Sequence, residues 1–257
     1  MLCLVSRLVA PINVAVAVGV AVGWPISARA TDFPSQKRYK TELKALSERF
    51  SLQYNKNQLA EAEQTAQNAV DLAKRGFGPE SPYLASALNN LTLVQQARGT
   101  RDDIEPMLQR ILAIREKALG PEHPDTAKAL SNLGRQYHFH GNRDKAEPLY
   151  RRALAIREKA FGPKDLSVAS SLHDLMMWYK DQERYEEALP FMEREVMIWD
   201  QVMGENHPTV AIVLSSYIEL LRKVGHSKQA DAVENRLERL RRLQEEKAEA
   251  AAASSFE

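Results

Sequence analysis

The chain contains a single cysteine, Cys3, which lies close to the N-terminus. Disulfide bonds, cysteine nucleophiles and cysteine-ligated metal sites are therefore excluded for the rest of the chain. The charges nearly cancel, with 35 Lys plus Arg against 34 Asp plus Glu, and both signs are interspersed. This balance offers no strongly charged surface for a nucleic acid or an anionic membrane. The fold must therefore depend on burial of apolar side chains.

The sequence also lacks the patterns of a catalytic domain. We find no alternating strand pattern, no glycine-rich phosphate loop after a strand, and no nucleophile beside a plausible base. Nothing in the chain supports a hydrolase or transferase of the cell envelope. We therefore expect a protein that is not an enzyme and that needs no cofactor and no metal.

The one long apolar run lies at the N-terminus, where Leu8 to Gly23 is apolar apart from one asparagine. A positive charge precedes this run, Pro25 ends it, and Ala28-Arg29-Ala30 supplies the small residues that a signal peptidase recognises. The order predicts a signal peptide (residues 1–30) that is cleaved after Ala30, and an exported protein that is periplasmic or secreted. The alternative is an uncleaved membrane anchor, although the uninterrupted core of about ten residues is about half of what a spanning helix needs.

What the sequence does contain is a repeat with a constant period of 42 residues. The recurring segment is a Gly-Pro loop signature, found at Gly78-Pro79-Glu80-Ser81-Pro82, Gly120-Pro121-Glu122-His123-Pro124, Gly162-Pro163-Lys164-Asp165-Leu166 and Gly204-Glu205-Asn206-His207-Pro208. Equal intervals without an insertion or deletion indicate that one supersecondary unit is stacked repeatedly.

The third unit shows the pattern inside each repeat most fully. Its first half places four residues on one stripe of a helix: Leu130, Leu133, Gly134 and Tyr137. Gly141-Asn142 then predicts a turn, after which a second helix has inward positions at Ala146, Tyr150 and Ala153. Each unit is therefore expected to be a pair of antiparallel helices. Two residues depart from the columns: Gln95 replaces the tyrosine of position 137, and Glu195 replaces the small residue of position 153.

These positions resemble the tetratricopeptide repeat (TPR) pattern. The 42-residue period, with Gly-Pro-Glu-His-Pro and with Ala-Glu-Pro-Leu-Tyr-Arg-Arg-Ala-Leu at 146–154, is similar to the kinesin-light-chain-like subtype. The resemblance covers about residues 37–244. It implies an all-α fold, a TPR-type α-solenoid in which antiparallel helix pairs form a right-handed superhelix. For function it implies binding of a protein or peptide.

Five units fit the chain. Their predicted bounds are about 37–77, 83–119, 125–161, 167–203 and 209–247, and a disordered tail is predicted at 248–257. The first unit is degenerate and the last ends in a long charged helix, as expected of terminal repeats that must present a polar outer face.

The histidines invite a metal-site interpretation that their positions do not favour. His123 and His207 share a column with Ser81 and Asp165, which predicts helix N-caps. His138 and His140 are two residues apart, so on a helix their side chains point in nearly opposite directions. Outer-face pairs such as Arg151-Arg152 are interpreted as solvated, and Glu147 with Arg151 is expected to form an i, i+4 pair.

In the TPR family the first helices line a concave groove, so the resemblance makes the free face of each first helix the candidate site. The candidates are Asn89, Asn90, Leu93, Lys128, Asn132, Arg135, His173, Met177 and Ile212. The asparagines suit the backbone of an extended peptide, and Lys128 and Arg135 suit an acidic residue. Leu93, Met177 and Ile212 are expected to be exposed apolar contacts. The alternative is that some of these residues pack inside a tight superhelix.

The leading hypothesis is an exported, non-catalytic TPR adaptor or scaffold that holds a protein or peptide segment in its groove. It binds no nucleic acid and has no membrane span once the signal is cleaved. The alternative is a self-assembling structural protein of the cell envelope, which would use the apolar seam of its last helix at Val233, Leu237, Leu240 and Leu243. We expect a monomer, with a homodimer through that helix as the alternative. A cytoplasmic motor adaptor conflicts with the predicted export signal.

Overall fold

The computed structural model describes residues 34–99 and 104–254. The predicted signal peptide lies outside the described residues. Within them the chain forms ten α-helices and no strand. The helices are α1 (Pro34–Asn55), α2 (Leu59–Phe77), α3 (Pro82–Arg98), α4 (Ile104–Leu119), α5 (Pro124–Phe139), α6 (Arg143–Phe161), α7 (Leu166–Lys180), α8 (Tyr185–Met203), α9 (Pro208–Lys223) and α10 (Ser227–Ser254).

Each helix packs mainly against the helix before it and the helix after it. The first helices of neighbouring pairs, such as α5 and α7, touch at few points. Helices that contact mainly their sequence neighbours build an open stack, whereas a bundle would bring distant helices together. The predicted all-α solenoid of antiparallel helix pairs is therefore confirmed. In the described part of the chain, no helix combines the length and the apolar character needed to cross a membrane.

The predicted N-caps are also confirmed, including the two histidines. The Nδ1 atom of His123 accepts a hydrogen bond from the backbone N–H of Asp125 at 3.1 Å. His207 accepts one in the same way from Thr209 at 3.2 Å. Each imidazole accepts a hydrogen bond from a backbone N–H group that has no partner within the helix. This repeat position therefore caps the N-terminus of the first helix in each unit.

Gly134 allows the two helices of the third pair to approach closely. A Cβ atom at this position would lie 2.7 Å from Cε1 of Tyr150, whose side chain is buried on α6. No real Cβ atom tolerates such a distance, so the tyrosine ring occupies the space that a side chain at 134 would need. The glycine in the predicted stripe thus has a packing role.

The first departure from the repeat columns has a simple structural reason. Gln95 donates a hydrogen bond to Glu63, 32 residues earlier, at 3.3 Å. Tyr179, which occupies the same column two units later, donates its hydroxyl proton to Glu147, also 32 residues earlier, at 3.1 Å. The side chain of Gln95 therefore makes the same kind of hydrogen bond as the hydroxyl of Tyr179, although it has no aromatic ring.

The last helix differs from its predicted course. α10 continues to Ser254, whereas the sequence predicts a disordered tail from residue 248. Residues 255–257 lie outside the described part. Alanine and glutamate favour helix strongly, which allows the helix to extend. Leu237 and Leu240 of the apolar seam are buried in the core, and α9 is the helix against which α10 packs. The apolar seam therefore packs against other residues of the same chain.

Candidate peptide-binding groove

The groove candidates lie where the first helices meet one another. Asn132 on α5 donates a side-chain hydrogen bond to Asn89 on α3 at 2.8 Å. Arg135, one turn further along α5, pairs through Nε with Asp174 on α7 at 3.0 Å. No second helix lies between these partners. We call this face of α3, α5, α7 and α9 the inner wall, and the exposed faces of the second helices the outer wall.

Several polar candidates are engaged within the protein. Asn89, Asn132 and Arg135 form the contacts just described. Lys128 pairs with Asp125 on its own helix at 3.3 Å. These side chains are thereby held in defined positions along the wall, and Arg135 remains about half exposed despite its pairing.

The apolar candidates divide into two kinds. Ile212 is 58% exposed, as expected from the sequence. Leu93 and Met177 are only partly exposed, because their side chains pack against the hydrophobic core. The prediction that all three are exposed is therefore wrong for two of them, since folding their long side chains onto the core removes apolar surface from water.

A buried charged cluster lies beneath the inner wall between the third and fourth pairs. Asp174 is buried, and its negative charge raises the pKa of Arg135. Arg157 on α6 is also buried, and this burial lowers its pKa. Arg157 donates through Nη1 to the hydroxyl of Ser131 at 3.1 Å and to that of Ser171. These contacts connect α5, α6 and α7, so they fix the third pair relative to the fourth.

The second departure from the columns, Glu195, is explained by His173. Glu195 is 4% exposed on α8, and its two carboxylate oxygens lie 3.2 and 3.1 Å from Nδ1 of His173 on α7. Burial disfavours the charge on His173, but the hydrogen bond and the negative charge of Glu195 outweigh it, so the pKa of His173 is raised. A groove candidate is thus held by a buried carboxylate within the same helix pair.

A set of arginines on the outer wall was not predicted from the sequence. Arg110, Arg152, Arg194 and Arg236 recur at the repeat period of 42 residues. Arg152 pairs with Glu116 at 2.6 Å and donates to the carbonyl of Pro121 at 3.1 Å. The interpretation of Arg152 as merely solvated is therefore wrong. The constant spacing of 42 residues is the sequence signal that could have identified this column.

The other arginines of this column make equivalent contacts. Arg236 pairs with Asp200 at 2.5 Å and reaches the carbonyl of Glu205 at 3.5 Å. Arg194 pairs with Glu158 at 2.6 Å, and Arg110 donates to the carbonyl of Pro79 at 2.9 Å. Three of these side chains join a second helix to the previous second helix, and three hold the loop between units. The predicted pair of Glu147 with Arg151 is confirmed at 2.8 Å.

The described residues contain no cluster of three or more His, Cys, Asp or Glu side chains arranged to hold a metal ion.

What the chain presents is an open stack of helix pairs with a continuous inner wall of first helices, which defines an α-solenoid repeat protein. The family model described as "Tetratricopeptide repeat" matches residues 50–117, 93–159 and 141–196. The chain therefore belongs to the tetratricopeptide repeat family.

Solved structures share this fold at low sequence identity. The chain is similar to a kinesin-light-chain protein of nearly identical TPR-like repeats from Podosopora anserina (20% identity, TM-score 0.66, covering 81% of this chain and 97% of that one). It is similar to BtubC (BKLC) from P. vanneervenii (19%, 0.70, 82% and 88%). It is also similar to PlcR from Bacillus thuringiensis, solved with the peptide PapR7 and DNA (14%, 0.54, 84% and 74%). A comparison with curated proteins finds no match.

Proposed function

We propose that this protein is a non-catalytic adaptor or scaffold that binds an extended segment of a partner protein along its inner wall. The TPR family and the open stack support a binding role. A peptide is bound in the structure of PlcR, whose fold is similar. Since likeness at this identity concerns the fold alone, the residues of the inner wall carry the proposal.

The observation that carries it is the exposure of Ile212. This side chain is 58% exposed on α9, in the same column as three other exposed positions of the first helices: Ser86, Lys128 and Ser170. An isoleucine in water is unfavourable, and a partner that covers it recovers the free energy of burial. The neighbouring Asn and Ser side chains of the wall offer hydrogen bonds to a peptide backbone.

The proposal includes export to the periplasm or the cell exterior, which rests on the N-terminal sequence pattern. It also includes a monomeric state, since Leu237 and Leu240 of the last helix are packed within the chain. N-terminal sequencing of the purified protein tests export, and a first residue of Thr31 is the expected result.

The binding proposal is tested by placing a charge at matched exposed positions on the two walls. Ile212→Asp changes the inner wall. Met197→Asp changes the outer wall on α8, where Met197 is 50% exposed. Each protein is immobilised, and the proteins that it retains from the native cell are identified and quantified by mass spectrometry.

We expect a defined set of partners to be retained by the wild type and by Met197→Asp, and to be lost from Ile212→Asp. The melting temperatures of the three proteins should agree, because both side chains lie largely in solvent. Equal retention by all three proteins would contradict the proposal, as would the absence of any saturable partner.

A further inference from the structure

We infer that His173 and Glu195 form a proton-operated latch, in which the proton on His173 holds α8 against α7 and so fixes the inner wall of the fourth pair. The inference goes beyond binding itself, because it concerns regulation of the wall. Its relevance to a partner rests on the proposed function, but the latch can be measured without one.

The position of Glu195 makes a carboxylate costly. The other second helices place small or apolar residues at this position of the repeat: Ala69, Ile111, Ala153 and Leu237, all of them buried. A buried carboxylate without a partner costs several kcal/mol of desolvation. Among the described residues, the one ion pair formed by Glu195 is that with His173. The state of the imidazole therefore decides whether a charge is compensated inside this helix pair.

The charged groups that face His173 come from each neighbouring helix. Glu195 on α8 favours its protonation through a hydrogen bond and through charge, and Asp174 on α7 favours it through charge. Arg135 on α5 opposes protonation through its charge, and the charge of Arg157 on α6 acts on Asp174 and Arg135. Burial also opposes the charge, but the pKa of His173 is raised above the ordinary 6.5. The effects of Glu195 and Asp174 on the pKa therefore outweigh those of burial and Arg135.

The direction of the pH dependence follows from this shift. A histidine that binds its proton more tightly in the folded state stabilises that state fully below its unfolded pKa of about 6.5. The contribution is lost as the pH rises through the higher folded pKa. On the alkaline side, the buried Glu195 keeps only a hydrogen bond to a neutral imidazole. The latch is thus closed in mildly acidic solution and opens as the solution becomes alkaline.

The latch acts on the inner wall because of its place on α7. His173 connects α7 to α8, and the next residue, Asp174, connects α7 to Arg135 on α5. In a stack each helix pair contacts only its neighbours, so a loosened fourth pair interrupts the wall between Arg135 and Ile212. A partner that spans the wall would then lose its continuous surface.

The latch is tested by two measurements that use no partner. The first follows the imidazole resonances of the purified protein by NMR from about pH 5.5 to about pH 9, which brackets histidine titration. We expect the His173 resonance, assigned by its loss in His173→Gln, to titrate above 6.5 and to move to lower pH in Glu195→Gln. Titration at or below 6.5 in the wild type overturns the inference, even where a variant folds poorly.

The second measurement is the urea midpoint of unfolding over the same pH range. The wild-type midpoint should fall with increasing pH, and the fall should be smaller in both His173→Gln and Glu195→Gln. His226→Gln, at an exposed histidine before α10, is the matched control and should keep the wild-type dependence. An unchanged slope in the Glu195 variant overturns the latch. Because no ligand is added, this failure is distinguishable from failure of the binding proposal.

Discussion

The two walls of this solenoid are built on opposite principles. On the outer wall the same arginine recurs in successive units at 110, 152, 194 and 236, and each makes a loop contact, an ion pair or both. On the inner wall a single repeat position carries four different residue types, as Leu93, Arg135, Met177 and Glu219 show.

In the proposed function, this difference separates the residues that stack the helix pairs from those that recognise a partner. A contact that recurs with the repeat sets the spacing and tilt of consecutive helix pairs, because every unit needs the same geometry. A wall whose residues change from unit to unit presents a different surface at each point along its length. Such variation is what selective binding of one extended segment requires.

The largest effect is expected at Gly134, where α5 packs against α6. Gly134→Val should destabilise the protein by about 3 kcal/mol, because the new side chain overlaps the buried ring of Tyr150 and overpacking forces the helices apart. Ser170→Val, at an exposed position of the next first helix, is the control and should cost about 0.5 kcal/mol or less. Chemical unfolding of both variants measures this, and equal costs would show that the close approach is unimportant.

The next prediction tests the outer wall directly. Replacing Arg152, Arg194 and Arg236 together by alanine should destabilise the stack by about 1–2 kcal/mol, since each partly exposed arginine contributes about 0.5 kcal/mol. Part of the effect should disappear in high salt, as expected of ion pairs. Lys128→Ala on the inner wall should be nearly neutral. If the triple variant were as stable as the wild type, the recurring arginines would have no role in stacking.

A smaller effect, of opposite sign, is expected at the turn inside the fourth pair. Glu183 has a φ of 58°, a left-handed conformation that Gly99, Gly141 and Gly225 adopt at the same position of their units. Glu183→Gly should stabilise the protein by about 0.5–1 kcal/mol, because glycine adopts this conformation without steric cost. The reverse change, Gly141→Ala, should destabilise it by a similar amount. Thermal unfolding of the pair checks both signs, and a loss of stability in Glu183→Gly would refute the argument.

The repeat period predicted most of the fold from the sequence. Residues 42 apart indicated the helix pairs and the N-caps at His123 and His207. Comparing residues 42 apart also reveals the outer arginine column. Its role in holding the loop between units is visible only in the structure, where Arg152 donates to the carbonyl of Pro121.

The contacts of the inner wall could not be predicted in this way. Arg135 and Asp174 are 39 residues apart, and Asn89 and Asn132 are 43 apart, so each pair joins different columns of the repeat. Glu195 stood out in its column, but its partner His173 lies 22 residues earlier, across the helix pair. Such cross-column contacts depend on helix tilt and side-chain reach, which spacing alone does not contain.

The most direct test of the account compares exposed positions on the two walls by site-specific photo-crosslinking in intact cells. The inner column is Ser86, Lys128, Ser170 and Ile212, and the outer column is Ala113, Ala155, Met197 and Arg239. We predict that a common partner is crosslinked from several inner positions and from none of the outer ones. Adducts to the same partner from the outer column, with none from the inner column, would contradict the account.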